Sequence, residues 1–404
     1  MDILSRKPSC DCEPSGRAAP APSGMTSIVP FILSSPDNVK ADEPCCGAPA
    51  GPAASPYEKP GYRICPFVDG FLQTNAGFIP RVKTRMTPSD RWGTLRARMN
   101  IGRNTYSISP GLYAVGNPDQ DAPVLVTSNF KLTFDRVRMN LGGVSAYILV
   151  LDTRGINVWC AAGKGNFGTD ELVNRVRRAE VSGLVSHKKL ILPQLGATGI
   201  SARQVKKQTG FSVIWGPVHC RDLKRFLKTG MTPDPSMRQV TFDLWERMVL
   251  IPVEISIAAK SFILMCLAAV FLSGIGPHLF SLTQALHRGW AAVTVLLGGL
   301  IAGAVLTPVL LDRLPGTMFS VKGAVAGLIV SIPLAFIMGH FTGFTGMLAL
   351  VLAGGAVSSY LAMNFTGSTP FTSPSGVEKE MKTSMPFQAA SLVTAVILWL
   401  VSVF

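Results

Sequence analysis

Charged residues are scarce in this chain. Only 15% of its 404 residues are Asp, Glu, Lys or Arg, against about 25% in a soluble protein, which argues against an ordinary water-soluble enzyme. Acidic residues are the scarcer kind, 24 against 38 basic, for a net charge of +14. The eight cysteines, at 10, 12, 45, 46, 65, 160, 220 and 266, include no Cys-x-x-Cys pair, so a disulfide scaffold is not expected. Structural zinc and iron–sulfur clusters need about four gathered ligands, and no such grouping occurs along the sequence. Gly-Lys-Ser/Thr is also missing, which excludes a Walker A loop. The opening MDILSRKPSC has no apolar stretch before the first cysteines. No signal peptide is therefore expected, and the thiols are expected to stay reduced in the cytoplasm.

What is present divides the chain into two materials. Residues 261–404 hold five basic groups (Arg288, Arg313, Lys322, Lys379, Lys382) and three acidic ones (Asp312, Glu378, Glu380), leaving 33 basic and 21 acidic residues for the first 260. Residues 1–60 carry eleven prolines, with much Ala, Ser and Gly, and the vicinal pair Cys45-Cys46. This composition predicts a disordered segment. Residues 61–120 read as irregular, with short strands wrapping the domain that follows.

From residue 123 the pattern is regular. Strands are expected at 123–127, 146–152, 156–162, 189–195 and 211–215. Helices are expected at 129–141, 169–181, 200–209 and 220–229, with Thr169 as an N-cap. Strands alternating with helices of about ten residues imply a Rossmann-like α/β domain over 61–245, its sheet mainly parallel. Apolar runs near 261–281, 290–311, 323–341, 347–364 and 386–404 are each long enough to cross a bilayer. They imply an all-α transmembrane domain of five helices over 246–404. Arg313, Lys322, Lys379 and Lys382 then share a side with the basic domain, and Arg288 alone lies opposite, which places the N-terminal domain in the cytoplasm. Gly299-xxx-Gly303 and Gly323-xxx-Gly327 offer close helix approach. No Asp, Glu or Arg lies mid-span, so this part reads as an anchor or passive conduit rather than an ion pump.

The segment that carries chemistry is Asn157-Val158-Trp159-Cys160-Ala161-Ala162-Gly163-Lys164, followed by Gly165-Asn166-Phe167-Gly168-Thr169. Gly163-Lys-Gly165-Asn-Phe-Gly168 formally matches the dinucleotide fingerprint, but the next strand ends without an acidic residue for a ribose hydroxyl. Cys160 is either a buried core thiol or, at a strand's end beside small residues and Lys164, a ligand or nucleophile.

These eight residues resemble the signature of the mercury-methylating corrinoid protein family, and the stretches 123–135, 151–159 and 190–202 are similar as well. The resemblance covers about residues 57–404. That family joins a cytoplasmic corrinoid-binding domain, distantly similar to the corrinoid iron–sulfur protein of the acetyl-CoA pathway, to about five membrane helices. The resemblance implies a cobalamin-type corrinoid in its methylcobalt form, with Cys160 as the lower axial cobalt ligand. It makes Asn157, Val158, Trp159, Ala161, Ala162, Gly163 and Lys164 cofactor-binding, the small side chains leaving room for a flat macrocycle. Thr127 and Leu195-Gly196-Ala197 are further candidates on the same edge; packing and turn roles are the plain alternative for them.

The implied activity is methyl transfer from cobalt to inorganic mercury(II), a corrinoid-dependent methyltransferase at the cytoplasmic membrane. An anionic thiolate favours oxidised cobalt and eases departure of the methyl group with its electron pair. Two electrons must then return from outside the chain. The resemblance implies a ferredoxin-like donor with two four-iron clusters and a separate methyl-donor methyltransferase, with membrane lipid as surroundings. The positive charge fits an acidic electron donor and an anionic membrane surface better than nucleic acid. Cys45 and Cys46 suit a soft metal and form a candidate mercury relay, with two exposed thiols in a loose tail as the plain alternative. Two other readings stay open: a membrane-anchored corrinoid methyl carrier for another acceptor, of acetyl-CoA-pathway type, and a non-catalytic membrane binding module.

Overall fold

The computed structural model describes residues 65–277, 279–369 and 374–404. The proline-rich segment 1–60, with Cys45 and Cys46, lies outside the described residues.

The regular part builds a seven-stranded sheet. Its strands are β1 (Val68–Thr74), β2 (Gly77–Val82), β3 (Gly111–Val115), β4 (Val124–Ser128), β5 (Ala146–Leu151), β6 (Lys189–Leu192) and β7 (Ser212–Trp215). They lie in the order β1-β2-β3-β5-β4-β6-β7. The β5-β4-β6-β7 half is parallel, whereas β3 runs antiparallel to β5 and β1 antiparallel to β2. The sheet is therefore mixed. Strands expected to wrap the domain instead extend its sheet, because β3 is buried along its whole length and pairs with β5 over five positions.

Alternation explains how both faces are covered. Val124 and Val126 of β4 point into one core with Tyr147, Leu149 and Leu151 of β5. Leu125, Ile148 and Val150 point into the other. Helices α3 (Val158–Gly163), α4 (Thr169–Arg178), α5 (Val181–Leu184) and α6 (Ala202–Thr209) border the first face. Helices α2 (Lys131–Met139) and α7 (Leu223–Lys228) border the second. After β4 the chain moves to β5 on one side and later to β6 on the other. That reversal leaves a crevice at the carboxyl ends of β4 and β6, where open α/β sheets take their ligands.

The segment 156–162 is not a strand. Asn157 has extended backbone and its side chain accepts a hydrogen bond from the Cys160 N–H, so the apolar run VWCAAG coils into α3. Capping decides a short run that apolar content alone leaves ambiguous. Thr169 likewise stands inside α4, whose cap position is Gly168.

Helix α1 (Pro88–Arg98), between β2 and β3, begins with a capping box formed by Thr87 and Asp90. It is tied to α2 by a buried ion network. Lys131 Nζ lies 2.7 Å from carboxylate oxygens of Asp90 and Asp135, and Arg138 reaches the same two acids at 2.7 Å.

Five long apolar helices follow: α8 (Leu244–Ser273), α9 (Leu282–Val309), α10 (Phe319–Met338), α11 (Gly343–Ser368) and α12 (Pro374–Val401). Each is long and apolar enough to cross a membrane. Glycines let three of them close on one another. A Cβ at Gly299 would lie 2.7 Å from the Gly354 carbonyl, and one at Gly327 would lie 2.6 Å from Ser358 Cβ. Ser358 Oγ donates to the Gly323 carbonyl at 2.6 Å, and Ser359 Oγ to that of Ser320 at 2.9 Å. Near its end α9 widens into a π turn at Ala302–Leu306, just before Pro308. A proline lacks the N–H that an α-turn needs and crowds the carbonyl four residues back.

Three charged residues lie inside these helices and are buried: Arg247 near the start of α8, Glu380 and Arg288. Glu380 of α12 accepts hydrogen bonds from the Ser320 N–H and Thr366 Oγ1. Arg288 of α9 donates to the carbonyls of Trp399 and Ser273 and to Ser402 Oγ, with its guanidinium 4.5 Å from the Trp399 ring centre. The helices are thus longer than their charge-free stretches.

Candidate functional site

The site grows from the crevice between β4 and β6. Thr127 and Ser128, the last residues of β4, are buried, and neither hydroxyl has a hydrogen-bond partner; Gln194 Oε1, just past β6, is a third such atom. Buried polar atoms are normally paired, so three orphans at one sheet edge mark a place for a polar ligand. A cavity of about 110 Å³ opens there, lined among others by Thr127, Val158, Pro193, Leu195 and Cys220. It has room for a side group only.

Cys160 stands beside this crevice, half-buried in the first turn of α3. The loop that leads to it is stapled by Asn129. Its Oδ1 accepts from the Thr153 N–H at 3.1 Å, Thr153 Oγ1 at 2.8 Å and the Gly155 N–H at 3.0 Å, and its Nδ2 donates to Asp152 at 3.2 Å. Gly155 has φ of 71°, a left-handed turn that suits glycine. Asn157 then caps the helix at 2.8 Å, a contact worth about 1 kcal/mol. The thiol is held by one cap and one four-bond staple.

The signature residues divide between two faces of α3. Val158, Ala161 and Ala162 point into the core, while Cys160, Gly163 and Lys164 look outward and Asn157 and Trp159 are half-buried. Ala162 is small because the chain after β6 presses on it. A Cβ at Gly199 would collide with the Phe167 carbonyl and lie 3.1 Å from Ala162 Cα; one at Gly196 would lie 3.3 Å from Val158 Cγ1. Gly163 is the residue whose smallness serves an outer surface, since a Cβ there would meet nothing within 4 Å. Cys160 and Gly163, three apart, share one helical face. Leu195, Gly196 and Ala197 follow β6 in a 3₁₀ turn against α3. The structure therefore brings Thr127, Val158 and Leu195 together around the cavity, sets Cys160 and Gly163 on the outer face of α3, and turns Ala161 and Ala162 into the core.

Three positions were not singled out from the sequence. Asn129 carries a weak local signal, a polar residue directly after an apolar strand. Arg103 lies near enough for its charge to be felt by Cys160, though 57 residues earlier in the chain. Cys220 lines the cavity, and burial pushes its thiol up to about 11 against the opposing effect of Arg136. Burial also raises Cys65 to about 11, with Lys131 opposing and Asp90 adding. Among the described residues no three His, Cys, Asp or Glu side chains gather as a metal cluster. Larger clefts of about 460 and 450 Å³ are lined by the long apolar helices and by no residue of the sheet domain.

Fold and site define a class: an open α/β domain that offers thiols and a set of unpaired polar groups around its switch point, joined to a five-helix apolar bundle. Residues 95–227 match the family model described as CO dehydrogenase/acetyl-CoA synthase delta subunit. The gamma subunit of the acetyl-CoA decarbonylase/synthase complex of Archaeoglobus fulgidus is 31% identical over 145 residues, 35% of this chain and 30% of that protein. The gamma subunit of Methanopyrus kandleri is 31% identical over 128 residues, 31% of this chain and 27% of the relative. That of Methanothermobacter thermautotrophicus is 32% identical over 117 residues, 28% and 25%. The chain thus spans less than a third of the length of these curated relatives. The family match covers the sheet domain from α1 to α7 and ends before α8.

Proposed function

We propose that this chain is a corrinoid protein held at the cytoplasmic membrane, its N-terminal domain in the cytoplasm, that passes a methyl group to inorganic mercury(II). One observation carries the cofactor reading: the half-buried Cys160 shares the outer face of α3 with Gly163, and the orphaned Thr127 hydroxyl belongs to a cavity that Val158 of the same helix lines. These residues fit the group. Cys160 would hold the cobalt, Gly163 would leave room for the ring, and Thr127 Oγ1 would offer a hydrogen bond. Asn157 and Asn129 keep the thiol in place. A corrinoid at this edge supplies a cobalt atom able to accept and release a methyl group.

The acceptor has two readings. The relatives are subunits of an acetyl-CoA decarbonylase/synthase complex, which favours a methyl carrier of acetyl-CoA-pathway type. The contiguous signature from Asn157 to Lys164 supports mercury(II), as do the apolar helices that lie outside the family match. In either reading electrons come from a separate iron–sulfur donor and the methyl group from a separate methyltransferase, and a complex with other subunits fits the relatives' names.

The test is methyl transfer by the full chain in membranes, with corrinoid, a methyl donor and a reductant supplied. The expected result is methylmercury from wild type and almost none from Cys160→Ala, whose corrin absorbance also shifts as the sulfur ligand is lost. Purified protein that takes up no corrinoid, even on reconstitution, would end the reading. Methylation of an acetyl-CoA-type acceptor without methylmercury would replace mercury by the second acceptor.

A further inference from the structure

Helix α1 and the loop after it present a surface that the site does not use. On α1, Trp92 is 62% exposed and Leu95 51%; Ile101 in the following loop is 54% exposed, and Met99 is exposed between them. The same stretch, residues 91–105, carries Arg91, Arg96, Arg98 and Arg103 and no acid. The acid at the start of α1, Asp90, is already spent inside the ion network with Lys131 and Arg138. Burial lowers the pKa of Arg98, and the like charges of Arg136 and Arg103 add to that. Several guanidinium groups thus crowd together where an outside anion would relieve them. Trp92, Leu95 and Met99, at intervals of three and four, form one stripe flanked by arginines, the pattern of a helix lying in a membrane interface.

Position argues for the same occupant. Helix α1 packs against α8, the first of the apolar helices. Arg103 lies within electrostatic reach of Glu254 on α8. Arg247, seven residues earlier on α8, pairs at 2.6 Å with Asp312, just past the end of α9. Glu254 is therefore about 10 Å further along α8 than that pair, in the direction of the apolar core. Arg103, at the end of the loop from Met99, therefore lies beside α8 on the bundle side of that pair. Near the start of α8, Trp245 and Met248 are exposed as well, which extends the apolar surface.

We infer that residues 88–105 form a second membrane attachment, with Trp92, Leu95, Met99 and Ile101 in the bilayer interface and Arg91, Arg96 and Arg98 on anionic lipid headgroups. The inference rests on the membrane reading of the five helices. Its consequence is positional: Arg103, at the lower end of the element, neighbours Cys160, so the open edge of the site is held at the membrane surface.

The test uses the full chain in nanodiscs made with phosphatidylglycerol and with lipids brominated near the headgroup or deep in the acyl chains. Tryptophan fluorescence of wild type minus that of Trp92→Phe isolates Trp92. Its signal is expected to fall about twofold with headgroup-brominated lipid and less with deep bromination. The triple variant Arg91→Gln/Arg96→Gln/Arg98→Gln is expected to lose most of that quenching. Trp290, 66% exposed on α9, is read in the same way through Trp290→Phe and should respond to deep bromination. If Trp290 is quenched and Trp92 is not, the attachment is overturned while the helices still span the membrane. If neither is quenched, the membrane reading fails and the attachment with it. A Trp92 signal indifferent to lipid but altered by an added acidic iron–sulfur protein overturns the lipid in favour of a protein partner.

Discussion

Thr127 illustrates a conflict that a single residue can hold. Its hydroxyl is buried at the end of β4 with no partner, and an unsatisfied buried hydroxyl costs about 1–3 kcal/mol. Valine has nearly the same shape and no polar atom. Thr127→Val is therefore expected to raise the thermal midpoint of the ligand-free sheet domain by about 2–4 °C and to weaken corrinoid binding about tenfold, the worth of one hydrogen bond. Thermal unfolding and corrinoid titration of the same variant check both halves. A variant that loses stability and keeps its affinity would assign Thr127 to packing. Cys160 was singled out in the sequence by its small neighbours, by Lys164 and by the family resemblance of residues 157–164. Asn129 was not, since its four bonds go to backbone and side chains 23 to 26 residues away, a separation that no local pattern records.

Elements are joined here by charge where the sequence suggested only apolar periodicity. Lys131, Asp135 and Arg138 fall within the helix expected at 129–141, yet all three are buried and bind Asp90 of α1 or one another. Burial alone would push the Asp90 carboxyl up; Lys131, the Thr87 N–H and Arg138 outweigh it and hold it at about 2, below its ordinary 3.8. Between those values the unfolded chain binds the proton and the folded chain does not. The network's contribution is therefore complete above the ordinary carboxylate value and is lost as pH falls from about 4 towards 2. Urea unfolding across that range should show stability dropping in wild type and a flatter profile in Asp90→Asn. At neutral pH the same substitution leaves Lys131 and Arg138 short of one charge and should cost about 3 kcal/mol or more. The strands of the parallel half were readable as short continuous apolar runs, because both of their faces are buried, one in each core. Helix α3 was not, because its apolar run favours a strand until the Asn157 cap is taken into account.

At the scale of the whole molecule, side chains at the helix ends show which loops share a side. Arg247 at the start of α8 bonds the Pro308 carbonyl in the last turn of α9 and Asp312 beyond it, and Lys322 near the start of α10 bonds the carbonyls of Leu311 and Leu314. These contacts put the 310–318 loop on the side of the sheet domain. At the other end Arg288 closes the exposed carbonyl ends of α8 and α12 through Ser273 and Trp399, a favourable place for a cation. Its charge answers helix ends, so it does not weaken the rule that places the other basic groups on the inner side. A cysteine introduced at Gly316 should accordingly react with an impermeant maleimide only from the side that carries the sheet domain, in sealed vesicles of known orientation. One at His340, which is exposed in the turn between α10 and α11, should react only from the opposite side. Equal labelling of both positions from one side would mean that α10 does not cross, and the bundle would then have to be an in-plane assembly. Because α8 leads directly from the sheet domain into the bundle, the same experiment also fixes the side on which Cys160 works.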